Sequence, residues 1–157
     1  QSLKTKANFI IGSDKISISY WQKTSNNAVS FISELSAVSD NKNAFYLALI
    51  SSTQLRFGDR APDNTRDISL ISGTWQHIVI VVDRALDANN TVKIFRNGIR
   101  QTETIIQNNN TSGNYINDIL FIGQRAGNSS GYIGQMKFLK IFNYPLSTTE
   151  ITNLYNE

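Results

Sequence analysis

The sequence predicts an all-β fold: two antiparallel sheets packed as a sandwich, closed by one short C-terminal helix. Three observations predict it. Apolar residues recur with period two or in short β-branched runs, and hardly ever with helical period. Clusters of Asn, Asp, Ser and Gly punctuate these runs at the spacing of roughly 8–12 residues that sandwiches show. A single stretch near the C-terminus carries helix signals. No repeat or linker interrupts the 157 residues, which are expected to form one domain over residues 1–157.

Lys15 to Trp21 alternates cleanly, with Ile16, Ile18 and Tyr20 on one face and Ser17, Ser19 and Trp21 on the other. Residues 29–35 and 45–50 read as further strands, separated by the polar turn 39–43. Residues 54–57 form a short strand, followed by a polar excursion over 58–68. Residues 75–83 are the strongest strand. Their run from Ile78 to Val82 is apolar on both faces, which places the strand centrally in a covered sheet.

A turn at Asp87 to Asn90 leads into a strand at 91–96, and Asn97-Gly98 then signals a type I′ hairpin. Its return strand is expected at 101–106, before a polar loop at 108–114. The last strands are expected at 118–123 and 135–142, with a turn at 127–131 between them. Pro145 stops the final ladder. Ser147 and Glu150 have capping-box spacing, and Ile151, Leu154 and Tyr155 make an i, i+3, i+4 stripe that docks on a sheet. The expected core contains Ile16, Ile18, Phe31, Leu47, Leu49, Trp75, Ile78, Ile80, Val82, Ile94, Leu120, Ile122, Met136, Leu139, Ile141, Leu146, Ile151 and Leu154.

Composition removes several chemistries. The chain has no cysteine, which excludes disulfides, thiolate metal sites and a thiol nucleophile. Its one histidine, His77, excludes a multi-histidine metal site within the chain. His77 reads as a strand residue hydrogen-bonded to backbone at a sheet edge. The four glutamates, Glu34, Glu103, Glu150 and Glu157, are isolated, so the paired carboxylates of glycoside hydrolysis are missing. The expectation is no catalytic residue. The net charge is +3, but basic residues alternate with acids, as in Arg56, Asp59, Arg60, Asp63, Arg66 and Asp67. That interleaving argues against nucleic acid as a partner. No apolar run approaches the roughly 20 residues of a membrane span.

Several segments resemble laminin-G-like domains of the concanavalin A-like jelly-roll superfamily. Gly73 to Asp83 is similar to that family's Trp-x-His strand, and Val92 to Gly98 to its hairpin. Leu120 to Gln124, Gly131 to Ser147 and Glu150 to Tyr155 resemble its closing segments, and Ile18 to Trp21 its opening strand. The resemblance covers residues 15–157 in family order and implies a jelly-roll. Residues 1–9 lack a recognisable opening strand, so the chain is expected to begin inside a longer protein, with other domains as possible neighbours.

The resemblance implies an extracellular or surface-exposed, non-catalytic module that binds a glycan or glycoprotein. The alternative it carries is a protein-recognition or structural domain of an adhesion or viral or phage surface protein. Calcium at the rim is also implied by the family, but two positions where its members carry acids hold Lys137 and Phe138, and the hairpin aspartate is Asn97. No cofactor is therefore required, and calcium is doubtful. Candidate carbohydrate contacts are Arg56, Asp59 and Arg60 in the polar excursion, Asn110 and Tyr115 in the following loop, and Arg125. Guanidinium groups suit hydroxyl or carboxylate recognition. A solvated loop with internal ion pairs reads the first three equally well.

Overall fold

The computed structural model of the protein describes residues 3–25, 28–36, 42–60, 63–125 and 131–157. Parts of the turns expected at 39–43 and 127–131 lie outside these residues. Among the described residues the strands are β1 (Leu3–Lys4), β2 (Lys15–Lys23), β3 (Ser30–Leu35), β4 (Phe45–Ser51), β5 (Gln54–Arg60) and β6 (Asp63–Ser69). They continue as β7 (Gln76–Asp83), β8 (Val92–Arg96), β9 (Ile99–Arg100), β10 (Thr104–Asn108), β11 (Leu120–Ile122) and β12 (Gln135–Phe142), and helix α1 spans Thr148–Asn156. A seven-stranded sheet runs β1-β11-β3-β4-β5-β6-β10, and a five-stranded sheet runs β12-β2-β7-β8-β9. Every named ladder is antiparallel.

The period-two pattern builds the core directly. Ile16, Ile18 and Tyr20 of β2 and Ile78, Ile80 and Val82 of β7 face inward from one sheet. Leu47 and Leu49 of β4, Leu55 and Phe57 of β5 and Leu120 of β11 meet them from the other. Burying each such side chain contributes roughly 1.5–3 kcal/mol. Strand β7 is the middle strand of its sheet, and its outer face is covered as well. Val79, Val81 and Phe95 pack under Leu146 and Ile151, the buried residue of α1. Ser147 Oγ accepts from the Glu150 N–H at 3.3 Å, and the Glu150 carboxylate accepts from the Ser147 N–H at 2.8 Å, completing the expected capping box.

Several expectations are corrected. The excursion at 58–68 is not a loop: β5 extends to Arg60, and β6 pairs with it from Arg60↔Asp63 to Gln54↔Ser69. Trp75 precedes β7 and is 37% exposed rather than core. Ile122, Met136, Leu139 and Ile141 are only partly buried against the core, Leu154 against the cluster under α1, and Phe31, although buried, stands outside the core cluster, beside Tyr46. His77 lies in the central strand, not at an edge, and its Nε2 pairs with Ser19 Oγ at 2.9 Å.

The Asn97-Gly98 turn forms as expected, with both residues at positive φ (52° and 76°). Its return strand does not run on. After β9, Glu103 Oε1 accepts the Ile94 N–H at 2.9 Å, so a carboxylate replaces the next ladder partner. The chain then crosses to the other sheet, where β10 pairs with β6.

Candidate ligand-binding site

The outer face of the seven-stranded sheet gathers the strongest constellation. Alternation along β5 sends Leu55, Phe57 and Asp59 inward and Gln54, Arg56, Gly58 and Arg60 outward. Gly58 pairs with Tyr46 of β4. A Cβ at Gly58 would stand 2.0 Å from Tyr46 Cε1, so the glycine lets the tyrosine ring lie flat across β5. Arg60 then stacks its guanidinium on that ring, 4.5 Å from the centroid.

Strand β3 supplies the neighbours. The Phe31 ring lies 5.9 Å from Tyr46, tilted by 44°, and the Arg125 guanidinium sits 4.9 Å from the Phe31 centroid. Between the two arginines lies Glu34, whose side chain is 1% exposed. Its carboxylate oxygens are 3.8 Å from Arg60 Nη2 and 3.8 Å from Arg125 Nε. These are charge contacts, longer than hydrogen bonds. Arg56 continues the face with a bidentate pair to Asp67, at 2.8 and 2.9 Å. The Asp67 carboxylate holds the Arg56 guanidinium above the usual arginine range.

The arrangement is two planar cations on aromatic beds around a buried carboxylate, beside a locked Arg–Asp pair. Such a surface can give several directed hydrogen bonds to hydroxyl or anionic groups. Of the sequence candidates, it unites Arg56, Arg60 and Arg125. Phe31, Glu34, Tyr46 and Gly58 were missed as site residues. Carrying the Leu55/Phe57 alternation on through residue 60 would have set Arg56, Gly58 and Arg60 on one face, but no spacing in the sequence links them to Phe31, Glu34 and Tyr46 on the neighbouring strands.

The other three candidates fall elsewhere. Asp59 is fully buried and accepts from Arg84 Nε and Nη2 at 3.1 and 2.5 Å. Tyr115 is 3% exposed and lies under Arg84, whose guanidinium is 3.7 Å from its ring centroid. Both belong to an interior ion-pair cluster and cannot reach a ligand. Asn110 accepts the Ala88 N–H at 2.7 Å and so ties two loops together.

Calcium does not fit the positions the resemblance pointed to. Asn97 Oδ1 is engaged by the His77 N–H at 2.9 Å, and residues 137 and 138 bring an ammonium and a phenyl ring. Asp59 and Asp67 face opposite sides of their sheet. Among the described residues, no group of three His, Asp or Glu side chains is placed to hold a metal ion. None of the described helices is long and apolar enough to cross a membrane.

Two packed antiparallel sheets of seven and five strands, closed by one short C-terminal helix, define a jelly-roll sandwich. The chain belongs to the concanavalin A-like lectin/glucanase superfamily, whose laminin-G model matches residues 1–152. No curated protein matches it in sequence. Solved structures match in fold. The native heptameric SAP-like pentraxin from Limulus polyphemus aligns with TM-score 0.71 and 15% identity, over 98% of this chain and 75% of that one. The CBM40 of Ruminococcus gnavus IT-sialidase, bound to α2,3-sialyllactose, aligns with TM-score 0.69 and 14% identity over 99% and 96%. The botulinum neurotoxin serotype D binding domain aligns with TM-score 0.72 and 14% identity over 99% of this chain, which spans 40% of that one.

Proposed function

We propose that residues 1–157 are one non-catalytic carbohydrate-binding module, acting outside the cell as part of a larger enzyme, adhesin or surface protein. The glycan lies on the outer face of the seven-stranded sheet. The observation that carries this reading is the pair of ring-stacked guanidiniums, Arg60 on Tyr46 and Arg125 on Phe31, flanking Glu34. Stacking fixes both cations before a ligand arrives, so less side-chain entropy is lost on binding. Arg56 borders the same face. The CBM40 relative, which binds a sialylated sugar on the same fold, supports the class of ligand.

Hydrolysis is disfavoured by the carboxylates themselves. Glu34 is flanked by two arginines, and Asp67 is committed to Arg56 and Gln54. Neither is free to protonate a leaving group while the other attacks.

A glycan array run with calcium and again with EDTA tests the reading. Binding is expected in both, because the groups offered to the ligand are guanidiniums, which do not ligate calcium. Arg60→Ala and Arg125→Ala should each weaken the best ligand at least tenfold with little change in Tm. Unchanged affinity in both variants refutes the site. Silence across the array, together with self-association in light scattering, favours the protein-recognition alternative.

A further inference from the structure

We infer a second ligand site, on the open side of the sandwich where β12 faces β1 and β11, that takes an acidic saccharide. A groove of about 590 Å³ runs there between the edges of the two sheets, lined by Leu3, Trp75, Ile122, Tyr132, Met136 and Lys137. That volume falls in the roughly 300–1,000 Å³ range of small-molecule clefts. None of these residues belongs to the arginine face, so either site can fail without the other.

Two features mark the groove as more than an edge of the core. The first is Lys137. Its ammonium stands 4.8 Å from the Trp75 ring centroid, 5.4 Å from Trp21 and 5.3 Å from Phe138. Among the described residues no carboxylate lies within 4.0 Å of it. The cation is held by ring faces alone, at the mouth of an apolar groove. A cationic ligand would be repelled there, and a neutral one would leave the charge unused.

The second feature is Phe138, which is 61% exposed with φ at 55°, inside the bulge between Lys137 and Lys140. A bulky side chain in the left-handed region is strained, and exposing its ring gains nothing for folding. Glycine would serve the backbone better at this position. The Phe138 ring lies outside the groove lining, on the far side of the Lys137 ammonium from the 37%-exposed Trp75, so a sugar acid group at Lys137 is flanked by two exposed ring faces, 4.8 and 5.3 Å from the ammonium. The concave shape favours an oligosaccharide over a flat lipid surface.

The test is titration of the whole chain with sialylated, glucuronylated and sulfated oligosaccharides, each beside its uncharged parent, in an Arg60→Ala, Arg125→Ala background that removes both stacked guanidiniums of the first site. At least one acidic member should bind with tenfold or greater preference over its parent and quench tryptophan fluorescence. Lys137→Met should abolish that preference. Phe138→Gly should weaken binding at least tenfold while Tm stays level or rises, an outcome that a purely structural phenylalanine does not give. Absence of any such binding, or binding indifferent to Lys137→Met and Phe138→Gly, overturns the proposal. So does association with phosphatidylserine vesicles in the absence of saccharide binding.

Discussion

At the residue scale, the interior holds charges that a sandwich of this size has to match closely. Arg84 and Asp59 have side chains with no solvent exposure, and Arg84 Nη1 also donates to the Gly113 carbonyl at 2.8 Å. Removing one partner strands the other charge, so Asp59→Ala should cost about 3–5 kcal/mol in urea denaturation. His77 gives a pH signature. Burial lowers its pKa from 6.5 to about 4, with the Glu157 charge opposing and the Lys140 charge assisting that shift. Because the folded pKa lies below the unfolded one, the neutral ring stabilises the fold fully above pH 6.5. That contribution, about 3 kcal/mol, is lost progressively as pH falls toward 4. Stability measured at pH 7, 5 and 3.5 should show this decline, and His77→Gln should flatten it.

None of this was legible from residue type. Asp59 sits among alternating acids and bases that read as a solvated loop, and its partner is 25 residues away. Arg66 was hidden in the same way. It is 2% exposed, and its guanidinium donates to the carbonyls of Gln107 and Ala88 at 2.6 and 2.7 Å.

At the element scale, strands announced themselves where inward positions were apolar and stayed hidden where they were not. β7 and β12 were readable, as were the Asn97-Gly98 hairpin and the capped helix, because each carries its own local chemistry. β6 was not, since its inward residues include Asn64 and Arg66. β10 was placed in the wrong sheet because the Glu103 side chain, rather than backbone, ends the preceding ladder.

The arginine face depends on an element-level detail, the Tyr46 ring of β4 lying over Gly58 of β5. Gly58→Ala should push the Tyr46 ring off β5 and remove the bed under Arg60. The expected outcome is a loss of glycan affinity comparable to that of Arg60→Ala, with a change in Tm smaller than that of Asp59→Ala. Equal affinity in Gly58→Ala and the parent chain contradicts the stacking argument.

At the scale of the whole molecule, the sandwich class and its family followed from strand spacing and ordered motifs. The two candidate surfaces did not. A sheet face is assembled from strands far apart in sequence, so Phe31, Tyr46, Arg60 and Arg125 carry no common spacing. The same sequence distance governs how the molecule must be made. β11 inserts between β1 and β3, and β12 closes the edge beside β2. Pairings such as Leu3↔Ile122 and Ser17↔Phe142 therefore wait until the last third of the chain has been synthesised. Until then β2 and β3 each present an open strand edge with Ile16, Ile18 and Ile32 unshielded. Such non-local topology implies folding in milliseconds to seconds rather than microseconds. A nascent chain halted before residue 120 should be captured by chaperones and degraded by protease, and one released after residue 142 should resist both.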